Sequence, residues 1–190
     1  MSYALSKPHS YILSRKNFSP EEHEKIDAVI SRREAGEPLQ YILGEAEFYG
    51  RDFSVGQGVL IPRHDTEALI EAVKTCIYHD DTFSFVDWGT GSGCIAVTLL
   101  LEFPNSYAYM IDFSPEALKY AEENISRYDL QARTAVNQLP EYCSVIISNP
   151  PYIPSGEIEG LMREVRDYER ITIITSTRVS ALLFNINSSS

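Results

Sequence analysis

No stretch of this sequence approaches the roughly 18 to 20 consecutive apolar residues that a bilayer-spanning helix requires. The first residues also lack a positively charged start followed by an apolar run, which argues against a secretory signal peptide. Cysteine is scarce. Cys76, Cys94 and Cys143 lie far apart with no CxxC pairing, so the expectation is reduced thiols in the cytoplasm and no disulfide framework. His9, His23, His64 and His79 are scattered as well, and no metal site is expected because no ligand spacing is present. Basic residues are outnumbered: 16 Lys and Arg stand against 27 Asp and Glu, a formal net charge of -11. That balance speaks against a duplex nucleic-acid binder, which neutralises phosphates with a basic face. Lys16, Arg32, Arg33 and Arg51 give only the first quarter of the chain some positive character. There is no internal repeat, and low complexity is confined to the last few serines.

What is present is an ordinary globular composition. With 190 residues, 44% hydrophobic, the chain can build one domain with a small appendage around a proper core. Ser19-Pro20-Glu21-Glu22 predicts a helix start, with Ser as N-cap, Pro in the first turn and Glu three residues after the cap. The amphipathic pattern through Ile26, Val29 and Ile30 carries that helix toward Gly36. Residues 44–55 predict two short strands around a Gly-containing turn. A further helix follows Leu60-Ile61-Pro62-Arg63, with Asp65 or Thr66 as its cap and Leu69, Ile70, Val73 and Ile77 on one face.

From residue 83 the pattern changes to alternating strands and helices: a strand over 83–87, a helix from Cys94 to about Phe103, and a strand over 107–111 ending at Asp112. A helix capped by Ser114-Pro115-Glu116 comes next, and then a strand over 143–148. Such alternation predicts an α/β fold with a parallel, doubly wound sheet and ligands at the carboxyl ends of its strands.

Gly89, Gly91 and Gly93 sit where the first of these strands turns into a helix. Without a Cβ the backbone can turn sharply and approach a ligand closely. The helix start offers N–H groups and a positive dipole end, which in a dinucleotide enzyme would face a pyrophosphate. The spacing is GxGxG, however, and not the GxGxxG preferred for pyrophosphate. Asp112 ends the next strand about twenty residues on, where a carboxylate can accept from both hydroxyls of a ribose. Asp87, just before the glycines, is either a loop acid or a brace that accepts loop N–H groups. Cys94 is expected to be a small packing residue without chemistry.

Asn149-Pro150-Pro151-Tyr152 follows the last strand. Two prolines fix φ and remove two donors, leaving carbonyls that only accept. Asn149 adds a side-chain acceptor, and Tyr152 can stack on a flat group. A planar NH2 group needs such acceptors to hold it with its lone pair aimed at an electrophile. An amide nitrogen is a poor nucleophile, so orientation must do much of the catalysis.

Four segments then resemble the HemK/PrmC family: residues 40–50, Leu60-Ile61-Pro62-Arg63-His64-Asp65-Thr66-Glu67, residues 86–93, and residues 148–153 around Asn149-Pro150-Pro151-Tyr152. The resemblance covers roughly residues 19 to 169. It implies a Rossmann-like class I methyltransferase core, incomplete at its C-terminal strands, with a short N-terminal helical segment and a β-hairpin. The implied activity is S-adenosylmethionine-dependent methylation of a glutamine side-chain amide in peptide chain release factors. By the same resemblance Gly89, Thr90, Gly91, Ser92, Gly93 and Asp112 would bind S-adenosylmethionine, with Asn149 touching both cofactor and glutamine. Asn149, Pro150 and Tyr152 would be catalytic, and Pro151 would help frame the amide. Residues 1–60 would hold the remnant of a substrate-recognition domain plus the hairpin, residues 61–169 the methyltransferase core, and residues 170–190 a divergent tail.

The family pattern is lost after Glu169, and the stretch Gln131–Leu139 has no counterpart of the acidic-aromatic element that lines the adenine. The expectation is therefore a truncated or frameshifted copy. The strand ending at Asn149 would have an open apolar edge that the tail could cover with one strand at most, Ile171–Ile174 being β-prone. Two alternatives stay open: a DNA adenine N6-methyltransferase, since the same four residues can grip a flipped adenine amine, and a fragment that binds cofactor or partner without turnover. No membrane and no direct nucleic-acid partner are expected.

Overall fold

The computed structural model describes residues 2–7, 9–14, 17–149 and 184–185. Two short helices, α1 (Ser2–Leu5) and α2 (His9–Leu13), precede α3 (Pro20–Glu34). The start of α3 is fixed as its sequence predicts. Ser19 Oγ accepts from Glu22 N, and the Glu22 carboxylate accepts from Ser19 N at 2.8 Å, so two orphan donors of the first turn are satisfied. A one-turn helix, α4 (Leu39–Leu43), ends at Gly44, whose φ of 76° closes it in the left-handed region.

Strands β1 (Glu45–Phe48) and β2 (Arg51–Ser54) form the expected hairpin, with Phe48 paired to Arg51. Tyr49 and Gly50 in the turn both have positive φ, 52° and 70°, the backbone that matches the twist of a tight two-residue hairpin. Phe48 and Phe53, both fully buried, join the main core, so the hairpin is bound to the rest of the fold by aromatic packing. A 3-10 turn over His64–Thr66 leads into α5 (Glu67–Cys76), which buries Ile70 and Val73. One sequence expectation is corrected here. Thr66 stands at the N-cap position of α5 but makes no side-chain cap bond, because its αR backbone continues the preceding 3-10 turn and a capping side chain needs extended backbone; its hydroxyl instead accepts from Asn149.

The remaining elements build one sheet with helices: β3 (Ser84–Trp88), α6 (Cys94–Glu102), β4 (Tyr107–Ile111), α7 (Pro115–Arg127), β5 (Thr134–Val136), β6 (Val145–Ser148) and β7 (Phe184–Asn185). The order is β5-β4-β3-β6-β7; the first four strands run parallel and β7 is antiparallel to β6. This is the predicted α/β architecture. The chain moves outward from β3 to β5 and then jumps back to lay β6 on the other side of β3. Between β3 and β6 the strand order reverses, and there the crevice beyond the strand ends opens.

Helix α6 is apolar nearly all round and buried from Cys94 to Leu100, as a helix must be when it is packed on several sides. Phe85, Met110, Val145 and Ile147 from the sheet close the core around it. Strand β5 was not foreseen; three residues are too few for alternation to show. The outer edge of β6 is not bare. β7 pairs with it at Val145–Asn185 and Ile146–Phe184, so the tail does supply one short strand, at 184–185. The predicted strand at Ile171–Ile174 lies outside the described residues.

Candidate functional site: the crevice between two parallel strands

Trp88 of β3 pairs with Ser148 of β6, and the Ser148 hydroxyl donates to Trp88 O at 2.8 Å. Residues 89 and 149 therefore leave the sheet side by side, and the glycine loop and Asn149 share one crevice.

The loop is held from within. Asp87, with no exposed surface, accepts through Oδ2 from the Thr90 hydroxyl at 2.7 Å and from Ala96 N at 3.3 Å. Asp87 is thus a brace, but it accepts from the Thr90 hydroxyl and a helix N–H and not from the loop N–H groups expected from sequence; Ala96 lies in the first turn of α6, where a carboxylate complements the helix dipole. Burial pushes this carboxyl up to about 6; its two hydrogen bonds pull it down, and the charge of Asp112 adds to the rise. Its Oδ1 is buried without a hydrogen-bond partner. Gly89 N and Thr90 N both donate to Ile111 O, Gly93 N donates to Thr90 O, and Gly91 N donates to Asp112 Oδ2 at 2.9 Å. The loop N–H groups at 89, 90, 91 and 93 are all consumed by the protein itself, in contrast to the available donors that a helix start suggests from sequence.

The three loop glycines have φ of 75°, 58° and 80°. Their surroundings differ. A Cβ at Gly93 would lie 2.6 Å from Met110 Cε and 3.4 Å from Ala121 Cα, so this glycine permits close packing of loop against strand and helix. A Cβ at Gly89 would meet nothing within 4 Å, which makes it the glycine that faces open space. Thr90 and Ser92 are 4% and 2% exposed, so neither presents appreciable surface to a ligand. Asp112 is half-buried; its Oδ1 accepts from Ser114 N at 2.9 Å and each carboxylate oxygen retains a lone pair. Cys94 is buried and its thiol is pushed up to about 12 by burial, in keeping with a packing role.

On the opposite lip Asn149 is half-buried and donates through Nδ2 to Thr66 Oγ1 at 2.8 Å. Among the described residues its carbonyl oxygen has no hydrogen-bond partner. Pro150, Pro151 and Tyr152 lie outside the described residues.

A model of the methyltransferase small domain matches residues 64–164, which is more than half of the chain. The chain belongs to that methyltransferase family. A model of the PrmC N-terminal domain matches residues 1–44. Among curated proteins, the chain is 40% identical over 177 residues to a release factor glutamine methyltransferase of Koribacter versatilis, covering 89% of this chain and 63% of that one. It is 40% identical over 170 residues to the protein of the same name in Geobacter sulfurreducens, covering 87% and 59%. The chain thus spans about three fifths of the length of these relatives. Among solved structures, a human methyltransferase 10 domain containing protein is 21% identical, covers 78% of this chain and 72% of its own, and has a TM-score of 0.44.

Three residues of this methyltransferase-family crevice were not singled out by sequence reasoning. From sequence Thr66 is only one of two candidate caps of the helix, the other being Asp65. Trp88 and Phe113, 40% and 82% exposed, meet edge to face with ring centroids 6.1 Å apart beside the loop. Their signal was available: a large aromatic at the carboxyl end of each of two adjacent parallel strands, one before the glycines and one after Asp112. Among the described residues no helix is long and apolar enough to cross a membrane.

Proposed function

We propose that this chain catalyses S-adenosylmethionine-dependent methylation of the side-chain amide nitrogen (N5) of a glutamine in a peptide chain release factor. The observation that carries the choice of cofactor is the hydrogen-bond state of the glycine loop. A pyrophosphate needs free loop N–H groups, and here the donors at 89, 90, 91 and 93 are spent while a carboxylate already serves the start of α6. A cofactor with a ribose but no phosphate asks for less. It needs open space at the backbone, which Gly89 offers, and an acceptor for ribose hydroxyls, which Asp112 offers. Trp88 and Phe113 supply an apolar ledge on which a flat base can rest. When bound, the cofactor would supply an electrophilic methyl group on its sulfonium sulfur.

The chain's own work is then to orient the amide. Asn149 Oδ1 accepts one N–H, and we assign Pro150, Pro151 and Tyr152 to the frame around the rest of the group. Holding a weak nucleophile in line replaces strong base catalysis. The names of the two bacterial relatives support the glutamine of a release factor as substrate. The match to the PrmC N-terminal domain supports residues 1–60 as the part that meets that partner, ahead of a core over 61–169 and a tail over 170–190. Cys76, Cys94 and Cys143, all free, support a reducing cytoplasmic setting.

The test is a calorimetric titration of S-adenosylmethionine into the wild-type chain and into Asp112→Ala, followed by transfer of labelled methyl to purified release factor. Saturable binding that the substitution abolishes, with label on the glutamine, is the expected result. A folded chain that binds no cofactor would overturn the reading, and label appearing on DNA instead would move the substrate to an exocyclic amine.

A further inference from the structure

We propose that Thr66 is the positioning residue of the amide site, and that the turn over His64–Thr66 braces Asn149 from outside the sheet. The proposal rests on the reading of Asn149 as acceptor for the substrate amide. Its basis is one bond between distant parts of the chain: Asn149 Nδ2 donates to Thr66 Oγ1 at 2.8 Å across 83 residues.

Thr66 is well suited to hold something still. It is 6% exposed, and its β-branched side chain has little freedom at χ1. The turn that carries it is fixed at both ends. Thr66 N donates to Arg63 O at 3.0 Å, and the next residue, Glu67, accepts through Oε1 from Tyr49 N in the hairpin turn at 3.1 Å. Beyond Glu67 the helix buries Ile70 and Val73 in the core. Thr66 also forgoes the side-chain cap that its place at the start of α5 would ordinarily give. A threonine that leaves a helix start uncapped while meeting an asparagine at the crevice is placed for that asparagine.

The consequence is chemical. Asn149 follows the last residue of β6, where its side-chain amide could rotate to present either edge. With the NH2 edge turned to Thr66, the carbonyl oxygen is the side-chain group that remains to accept from a ligand. An acceptor there selects a ligand that brings an N–H and fixes the plane of that group. The same turn reaches the hairpin through Glu67, so the hairpin and Asn149 after β6 are joined through two adjacent side chains.

The isosteric Thr66→Val removes the hydroxyl and keeps the shape, whereas Thr66→Ser keeps the hydroxyl. Three quantities are read on each full chain: S-adenosylmethionine Kd, kcat for methyl transfer to release factor, and exchange of the Asn149 side-chain NH2 by 15N NMR. We expect T66V to lose about tenfold or more in kcat while Kd moves less than about threefold, as misorientation of a reacting group predicts. T66S should recover kcat to within about threefold, and exchange at Asn149 should quicken in T66V alone. Equal kcat and equal exchange in T66V and wild type would overturn the proposal, as would a T66S chain as impaired as T66V. If the wild-type chain transfers no methyl, the functional reading fails, and the exchange rates alone still decide whether Thr66 holds the amide. If T66V does not fold, wild type and T66S carry the test: a protected Asn149 NH2 supports the brace and an unprotected one sinks it.

Discussion

The two lips of the crevice are held in opposite ways. On the β3 side the glycine loop is tied by partners drawn from one continuous stretch, Asp87 through Asn124: Asp87 to Thr90 and Ala96, Asp112 to Gly91, Ile111 to Gly89 and Thr90, Asn124 to Ser92. On the β6 side Asn149 is tied to Thr66, 83 residues away. The first arrangement is redundant, and losing one bond leaves the others. The second is thin, and its precision depends on a turn that belongs to a different part of the fold. A rigid loop suits a cofactor that docks in one way. An amide held, among the described residues, by one side-chain bond can be tuned by whatever moves the turn that holds it.

If the loop is over-determined by packing as well as by hydrogen bonds, the largest effect should come from a glycine that sets the packing. Gly93→Ala places a methyl 2.6 Å from Met110 Cε, a fully buried atom neighbourhood, on a residue with φ of 80°. We expect a loss of about 3 kcal/mol in urea unfolding, combining left-handed backbone strain with overpacking. Gly89→Ala, with the same sign of φ but open space around its Cβ, should cost only about 1 kcal/mol. It should instead weaken cofactor binding, because its methyl enters the crevice. Equal stability losses in the two variants would show that backbone conformation alone, and not close packing, makes the loop rigid.

The same contrast explains what could be read from the sequence. Strand, glycine loop, helix, strand and terminal acid all fall in one short stretch, where local chemistry sets the structure: Ser114 caps α7, and Tyr49-Gly50 makes the hairpin turn. The parallel, doubly wound sheet followed from strand alternation, whereas the placing of β6 beside β3 is seen only in the folded chain. Thr66 could not be read correctly in this way. A threonine just before a helix has the local chemistry of a cap, and only the folded chain shows that Asn149 has taken its hydroxyl. Strand β5 was missed because its three residues owe their state to pairing with β4. The spent loop donors were invisible too, since Ile111 and Asp112 reach them only once β4 lies beside β3.

Asn124 tests whether the loop's redundancy extends to the hairpin. It has no exposed surface; its Oδ1 accepts from Ser54 N at 2.7 Å, and its Nδ2 donates to Ser54 O at 3.0 Å and to Ser92 O at 2.9 Å. One side chain thus pairs with the end of β2 as a strand would and also holds the loop. Asn124→Ala leaves three main-chain groups short of partners, and we expect it to cost about 2 kcal/mol in chemical denaturation. Asn124→Asp keeps the acceptor for Ser54 N but turns a carboxylate toward two carbonyl oxygens, and it should be the worse of the two. Were both variants within error of wild type, water would be satisfying the freed groups, and the packing of Phe48 and Phe53 with the Tyr49–Glu67 and Arg51–Glu102 contacts would suffice to hold the hairpin.

The smallest expected effect separates charge from geometry in the loop. Asp87 is buried, and desolvation raises its carboxyl from 3.8 to about 6 against the pull of Thr90 and Ala96. A carboxyl that binds its proton more tightly folded than unfolded gains stability as pH falls, here through the window between about 6 and 4, and above it the buried charge is a standing cost. Asp87→Asn keeps an acceptor for Thr90 and Ala96 but cannot titrate. Stabilities of wild type and variant should therefore diverge on acidification, with wild type gaining on the order of 1 kcal/mol relative to the variant between pH 6 and pH 5. The other carboxylates titrate in both chains and cancel in the difference. Parallel curves would mean that Asp87 stays ionised at pH 5, so that the dipole of α6 and the donors at Thr90 and Ala96 stabilise the charge more than burial penalises it. The loop would then be held by electrostatics rather than by the shape its glycines allow.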